Sequence, residues 1–186
     1  MNRRINCVLG IIGRLSMSIF RIDYCISKFL INAEEYTPDN GNLMIRIRKP
    51  RFSEAQKIRL LETRVYGHEV TNRYDMPMTV RHGYSYIAKD GHGRLVGAIL
   101  ALPTKDGQIL VCDWVVDKRY RRKRIGCALY GRLLKEVKGK QVIAYIKPKN
   151  KASLNGHLKL GFKKYRRVWD PYNLGKGEWI LVRLRR

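Results

Sequence analysis

The sequence predicts one α/β domain built around a mixed, mostly antiparallel sheet with flanking helices. Strand-like apolar segments and segments of helical spacing follow one another in the order β-α-(α)-β-β-β-α-β-α-β-β. A basic turn, Arg121 to Arg124, joins an apolar strand to a helix. Because a strand–helix–strand connection crosses over the sheet, the fourth and fifth strands, on either side of that helix, are expected to be parallel.

Each element follows from its residues. Residues 44–48 alternate apolar and basic side chains, as in a half-buried strand. Ser53 is the expected N-cap of the first helix, and 66–82 are expected to form a substrate-side loop or short helix. A turn at 89–93 joins a β-hairpin. The other predicted elements are strands at 84–88, 94–100, 108–117, 142–146, 162–168 and 178–185, and helices at 126–137 and 151–160.

The chain has 186 residues, of which 45% are hydrophobic, enough for one domain with a core. Its 39 Lys and Arg against 15 Asp and Glu give a net charge of +24. Such a charge suits a nucleic acid, an anionic membrane surface, an acidic protein or a phosphorylated cofactor; a basic surface kept for solubility is the alternative. The positive charges concentrate at 117–140 and 163–186.

Two regions are expected: a basic, amphipathic N-terminal extension and linker at 1–43, and the folded domain at 44–186. Residues 1–31 fit a membrane-surface helix, a targeting peptide or, the interpretation we favour, an accessory extension. No stretch reaches the roughly 18 apolar residues of a membrane span.

Cysteine and histidine spacing limits the chemistry. The four cysteines lack C-x-x-C spacing, and Cys112 and Cys127 are expected to be buried thiols in a reducing compartment, which predicts a cytoplasmic location. His68-Glu69 begins like H-E-x-x-H but the second histidine is missing, so a metalloprotease is excluded and no metal site is expected.

The basic turn predicts an anion site. Free backbone N–H groups and the positive end of the helix dipole converge where a helix follows a strand. Four cationic side chains, from Arg121 to Arg124, add to that field. A multiply phosphorylated small molecule is the expected ligand.

Two segments carry a family resemblance. Val116-Asp117-Lys118-Arg119-Tyr120-Arg121-Arg122-Lys123-Arg124-Ile125-Gly126-Cys127-Ala128-Leu129 resembles V-x-P-x-Y-R-G-K-G-I-G-x-A-L, and Asn150 to Phe162 resembles N-x-x-A-x-x-x-Y-x-K-L-G-F. Both belong to the acetyl-CoA-binding core of the GNAT superfamily of N-acetyltransferases. The match covers 109–162 well and extends more loosely from 44. It implies the GNAT fold, with the parallel fourth and fifth strands splayed around the coenzyme, and direct acetyl transfer from acetyl-CoA to a primary amine.

The resemblance also implies the coenzyme contacts. The strand around Trp114, Val115 and Val116 would hold the pantetheine arm and polarise the thioester carbonyl. Asn150 and Ser153 would contact the cofactor side of the cleft. The pyrophosphate would bind the amides of Arg121, Arg122, Lys123, Arg124, Ile125, Gly126, Cys127 and Ala128. Arg124 stands where the family's core pattern has its first glycine, and a charge-assisted contact to phosphate could compensate.

Acid and base assignments follow from the same comparison. His157 aligns with the tyrosine that many relatives use to protonate the departing thiolate, and a histidine can do the same work. Leu110 stands where relatives often place an acidic base, so Asp113 and Glu69 are the candidates. A water relay without a dedicated base is the alternative.

The acceptor stays open. A basic charge suits an amine on a protein or another macromolecule, and the alternatives are aminoacyl-tRNA or another nucleic-acid-linked amine, or a non-catalytic nucleic-acid-binding module. Lys163 to Trp169 interleaves basic and aromatic residues, a pattern that fits contact with RNA, DNA or an acidic protein. The simpler interpretation is that Tyr165, Trp169 and Trp179 are core residues.

Overall fold

The computed structural model describes residues 35–36, 43–175 and 177–184. The extension predicted at 1–43 therefore lies outside the described residues, apart from a two-residue strand, β1 (Glu35–Tyr36), and Leu43. β1 pairs with the next strand, although it lies in the predicted linker. The domain boundary at residue 44 stays a prediction.

The other strands are β2 (Ile45–Arg48), β3 (Tyr84–Asp90), β4 (Leu95–Pro103), β5 (Ile109–Val116), β6 (Val142–Ile146), β7 (Lys163–Trp169) and β8 (Glu178–Leu184). In the described part of the chain these form one eight-stranded sheet in the order β1-β2-β3-β4-β5-β6-β8-β7. Neighbouring strands are antiparallel except β5 and β6, which are parallel. The predicted mixed, mostly antiparallel sheet is confirmed.

The α-helices of the described residues are α1 (Ala55–Tyr66), α2 (Asp75–His82), α3 (Ile125–Glu136) and α4 (Lys151–Lys159). α1 and α2 pack on one face of the sheet, where Ile58 of α1 meets Leu100 of β4. α3 packs on the other face, in the larger core that contains Leu129, Leu133 and Leu154 of α4. The sheet is thus covered by helices on both faces.

Two helix starts refine the sequence prediction. Ser53, the expected N-cap, lies inside a 3₁₀ turn (Phe52–Glu54) that leads into α1; the N-cap is Arg51, whose backbone N–H donates to the Glu54 carboxylate at 2.8 Å. The segment predicted as a loop or short helix contains α2. The carboxamide oxygen of Asn72 accepts the backbone N–H groups of Tyr74 and Asp75 at 2.8 and 2.9 Å, which organises the start of this helix.

The parallel strands separate after their first two pairs. β5 and β6 are paired at Ile109↔Val142 and Leu110↔Ile143. Beyond them the register of β5 with β4 shifts, which leaves Cys112 as an extra, bulged residue. This confirms the predicted splay. It also exposes Cys112, so the expectation of a buried thiol there is wrong.

β7 is the edge of the sheet and pairs only with β8. Tyr165 is 50% exposed and Trp169 is 78% exposed, so the interpretation of these two aromatic residues as core is wrong. Trp179 on β8 is half-buried. A solvent-facing edge strand of basic and aromatic residues results.

Candidate active site

The basic turn keeps the backbone shape of a glycine-rich turn without its glycines. Arg122 and Arg124 both have left-handed backbones, with φ of 62° and 58°. Both stand at glycine positions of the motif quoted above. The first helical hydrogen bond of α3 runs from the Ala128 N–H to the Arg124 carbonyl oxygen at 3.0 Å. The amides of Ile125 and Gly126 precede that bond, so helix geometry aims them outward, as an anion site requires.

Ion pairs and hydrogen bonds fix the segment between the end of β5 and this turn. Asp117 follows β5 and accepts the backbone N–H of Arg119 at 3.1 Å. Its carboxylate also pairs with Arg64 of α1 at 3.1 Å. Arg121 donates from Nε to the Val116 carbonyl oxygen at 3.3 Å. The four side chains from Arg121 to Arg124 are exposed, so they form a cationic rim at the N-terminus of α3.

The second predicted coenzyme segment starts α4. Asn150 caps this helix by accepting the Ser153 backbone N–H at 3.1 Å. Because β5 and β6 are parallel, the helices that follow them, α3 and α4, begin at the same open end of the sheet. The predicted coenzyme residues on β5, on the basic turn and on α4 therefore border one opening.

Trp114 fills the space between the two helices. A Cβ added at Gly126 of α3 would lie 2.7 Å from Cζ2 of the indole, and one added at Gly156 of α4 would lie 2.7 Å from Cζ3. The indole meets the ring of Tyr130 edge-on, with centroids 4.8 Å apart, and that of His157 at 5.2 Å. Both glycines are thus required by the close approach of one large side chain.

His157 lies in the core beside this tryptophan. Its Nδ1 is 2.8 Å from the carbonyl oxygen of Ser153, which can only accept, so Nδ1 carries the proton. Nε2 is therefore the acceptor for the Tyr130 hydroxyl at 2.6 Å. Burial lowers the pKa of His157 to about 4, so the ring is neutral at physiological pH. Its assignment to thiolate protonation stays a prediction. Nε2, the ring nitrogen that would take part, already accepts the hydrogen bond from the Tyr130 hydroxyl.

Asp113 belongs to a buried acidic cluster on the opposite face of the sheet. Tyr66 of α1 donates to Asp113 Oδ1 at 2.7 Å. Glu62, one turn earlier, is fully buried, and because neither of its carboxyl oxygens nor Asp113 Oδ2 has another hydrogen-bond donor among the described residues, a proton between the two carboxyls is what pairs them. Burial, and then the charge of Asp113, raise the pKa of Glu62. Burial also raises the pKa of Asp113, although hydrogen bonds from Glu62 and Tyr66 act in the opposite direction and lower it. The pair therefore shares one proton, held on Glu62, at neutral pH.

Glu69, the other predicted base, lies apart from this cluster. It follows α1 on the surface, half-exposed, and pairs with Arg59 at 2.9 Å. The sequence analysis missed Glu62 and Tyr66. A signal for Glu62 was present: it falls on the apolar stripe formed by Ile58, Leu61 and Val65, where a carboxylate is unexpected.

Aromatic side chains border the opening on the face of Asp113. The ring of Tyr172, from the β7–β8 connection, lies 5.7 Å from that of Tyr145 on β6 and 5.2 Å from that of Trp179 on β8. Burial, and then the nearby thiol of Cys112, raise the pKa of Tyr172. These residues form an aromatic wall on the side opposite α3, where an acceptor can approach the splayed strands.

The described residues contain neither a candidate metal site nor a helix that could span a membrane. None of their His, Cys, Asp and Glu side chains gather in threes to hold a metal ion. None of their helices combines the length and apolar character needed to cross a membrane.

Comparisons with known proteins match this chain to one family profile and its fold to several solved structures. Residues 45–162 match the profile of the Acetyltransferase (GNAT) family. A comparison with curated protein sequences finds no significant match. Solved structures with the same fold include the ribosomal-protein-S18-alanine N-acetyltransferase from Escherichia coli, with a TM-score of 0.65 at 17% identity over 76% of this chain and 93% of that chain. Arabidopsis thaliana Naa50, in complex with the bisubstrate analogue CoA-Ac-MVNAL, gives 0.63 at 17% over 76% and 98%. Ard1 from Thermoplasma volcanium gives 0.65 at 16% over 74% and 95%.

Proposed function

The chain belongs to the acetyltransferase (GNAT) family, whose members are acyltransferases that use acetyl-CoA, and we propose that it moves an acetyl group from acetyl-CoA to a primary amine on a protein. The observation that carries this proposal is the opening between β5 and β6, with the amide-rich, cationic start of α3 at its edge. A protein acceptor is supported by fold neighbours whose names specify ribosomal protein S18 and a peptide-containing analogue.

In this proposal the coenzyme is held by main-chain groups. The amides of Ile125 and Gly126 receive the pyrophosphate, and the exposed cations of Arg121 and Arg124 neutralise it. The β5 backbone from Trp114 to Val116 holds the pantetheine arm, and Asn150 and Ser153 close the α4 side. The bound thioester supplies the acetyl group.

Asp113 is the proposed base. Its carboxylate lies on the strand that borders the opening, stabilised by the hydroxyl of Tyr66 and by the shared proton of Glu62. An amine that approaches past the aromatic wall of Tyr145 and Tyr172 would give up its proton on this face. The two hydrogen bonds favour the charged form of Asp113 and so oppose the burial that raises its pKa.

Two measurements on the full chain test the proposal. Calorimetry should show saturable binding of acetyl-CoA, and thiol release with free-N-terminal peptides should show turnover that N-acetylated peptides do not support. Asp113→Asn should lower kcat at least 100-fold with little change in acetyl-CoA affinity. Glu69→Gln decides between the two predicted bases, because a comparable loss of kcat there would transfer the role to Glu69. Absence of acetyl-CoA binding by folded protein would defeat the proposal as a whole.

The exposed aromatics of β7 favour a second candidate acceptor, an amine carried on a nucleic acid. Radiolabelled acetyl transfer to a cytoplasmic extract, followed by separate nuclease and protease digestion, distinguishes it. Label released only by protease supports the protein acceptor.

A further inference from the structure

The outer ribbon of the sheet, β7 with β8 (Lys163–Trp169 and Glu178–Leu184), exposes an unusual combination of side chains. In β7, residues 163–167 and 169 are all exposed. Lysines on an edge strand are explained by protection against edge-to-edge aggregation. That explanation does not cover Trp169 or Tyr165, because large exposed aromatics on an edge promote association rather than prevent it.

The register assigns several of these residues to one face. Val182 and Leu184 of β8 lie in the core under α3, so Leu181 and Arg183 point to the opposite face. Lys163 pairs with Arg183 and Arg166 pairs with Leu181, and paired residues share a face. Two cations of β7 therefore join Arg183 on the side of the sheet that carries Asp113, whereas Trp169, which pairs with Glu178, lies on the α3 side.

Rings and cations are stacked on this face. The guanidinium carbon of Arg183 lies 3.5 Å from the ring centroid of Tyr165, and that of Arg166 lies 5.9 Å from it. Nearer the opening, Lys147 Nζ lies 5.2 Å from the ring centroid of Trp179. The face thus alternates flat π-surfaces with positive charge.

The ribbon's carboxylates do not neutralise these cations. Asp170 accepts the backbone N–H groups of Leu174 and Gly175 at 2.9 and 2.7 Å, within its own turn. Glu178 pairs with Arg167 at 2.5 Å. Within the described residues no carboxylate forms an ion pair with Lys163, Lys164, Arg166 or Arg183.

We propose that the β7–β8 ribbon is a docking surface for single-stranded RNA. Basic side chains that follow a strand can track a phosphate backbone, and exposed aromatic rings can stack unpaired bases regardless of sequence. A folded acidic protein would use the cations but has no use for the solvent-exposed ring of Tyr165 among them. Through Trp179 and Tyr172 the surface continues to the aromatic wall at the opening, so RNA bound there lies beside the site. This binding does not depend on acetyl transfer.

The test is fluorescence anisotropy of a labelled uridine 20-mer with the full chain, titrated over a range of salt concentrations. Tyr165→Ala should weaken binding about 10-fold, since it removes one stacked base, whereas Trp169→Ala, on the α3 side of the ribbon, should leave affinity unchanged. Arg166→Glu should lower affinity and reduce the log–log salt slope by at least about 0.7, the contribution of one phosphate of a single strand. Thermal melts should be unchanged, because all three side chains are exposed.

Lys57→Glu is the matched control, an equal charge change at an exposed residue of α1, a helix that packs on β4 and β5 rather than on the ribbon. An equal loss of affinity in Lys57→Glu and Arg166→Glu would overturn the proposal, since net charge alone would then explain binding. Unchanged binding in Tyr165→Ala would overturn it as well. Competition by polyglutamate at equal charge would assign the surface to an acidic protein instead. Acetyl-CoA calorimetry on the same preparations reports separately on the proposed function.

Discussion

Replacing Gly156 by alanine is expected to destabilise the protein, although alanine is the better helix former. Intrinsic propensity favours Ala over Gly by about 1 kcal/mol inside a helix. The new Cβ would lie 2.7 Å from Cζ3 and 2.9 Å from Cη2 of Trp114, where carbon atoms normally stay about 3.5–4.0 Å apart. The indole cannot move away freely, because another of its edges lies against Gly126. Overpacking at the upper end of its usual range costs about 3 kcal/mol, which leaves a net loss of about 2 kcal/mol.

Urea unfolding of the full chain, followed by circular dichroism, measures this loss. Asn155→Ala is the control: it changes the exposed neighbouring position of the same helix, and propensity alone should stabilise the protein by about 0.5 kcal/mol. In a Trp114→Leu background the smaller side chain leaves room for the methyl group. There Gly156→Ala should become stabilising by about 1 kcal/mol, so its sign inverts.

The sign inversion is the decisive result. If Gly156→Ala stabilises the native background as much as it stabilises the Trp114→Leu background, contact with the indole does not exclude a side chain at residue 156. The account of Trp114 as a wedge between α3 and α4 would then be wrong.

The remaining predictions concern three single residues. Arg124→Gly should raise the free energy of unfolding by about 1 kcal/mol, because it relieves the backbone strain of an arginine in the left-handed region. Arg121→Gly is the control: its φ is −67°, so glycine there should lower the free energy of unfolding in the same urea experiment. Glu62→Gln should change the pH dependence of stability: folded Glu62 keeps a proton that the unfolded chain releases above about pH 4.3, so native stability falls as pH rises. The Gln variant should gain relative to it by about 1.4 kcal/mol per pH unit between about pH 5 and pH 8. His157→Phe should destabilise by about 2 kcal/mol, because the buried Tyr130 hydroxyl loses its acceptor, and it should lower kcat without changing acetyl-CoA affinity if His157 protonates the thiolate.

Each of these has a contrary outcome. Equal losses in Arg124→Gly and Arg121→Gly would show that the left-handed backbone carries no strain. A Glu62→Gln variant whose stability runs parallel to the native curve from pH 5 to pH 8 would mean that Glu62 is ionised in the folded protein. Adding Tyr130→Phe to His157→Phe should recover most of the lost stability, because no hydroxyl is then left without an acceptor. If stability does not recover, the loss in His157→Phe does not come from the Tyr130–His157 hydrogen bond. Unchanged kcat in His157→Phe would exclude the acid role.

The architecture could be predicted because each helix and strand follows from a short local sequence pattern. Alternation at 44–48, the apolar run of β5 and the helical spacing after the basic turn each act over a few residues, and the crossover rule then fixes the parallel pair. Two motifs in the expected order identified the family, which the profile match over 45–162 confirms. The aromatic residues of β7 were ambiguous because alternation does not reveal that a strand lies at an edge, with neither face covered.

The acidic cluster could not be predicted from spacing. Glu62 and Asp113 are 51 residues apart in the chain, and their contact depends on the bulge at Cys112, which resets the faces of β5. A bulge adds one residue without a sequence signal of its own, yet it reverses which side chains point toward α1. Asp113 was selected for its place on the strand, whereas the environment that tunes it comes from α1.

The turn before α3 separates two reasons for glycine that the family motif combines. At residues 122 and 124 the backbone is left-handed, yet arginine occupies both, so the surrounding structure imposes the conformation and glycine's freedom is dispensable there. At residues 126 and 156 the backbone is ordinary helix, and glycine is needed because Trp114 leaves no space for a side chain. Such a turn can therefore carry arginine in place of glycine at 122 and 124, where a phosphate group is expected to bind. The glycines at 126 and 156 cannot be replaced in this way, because they contact the indole of Trp114.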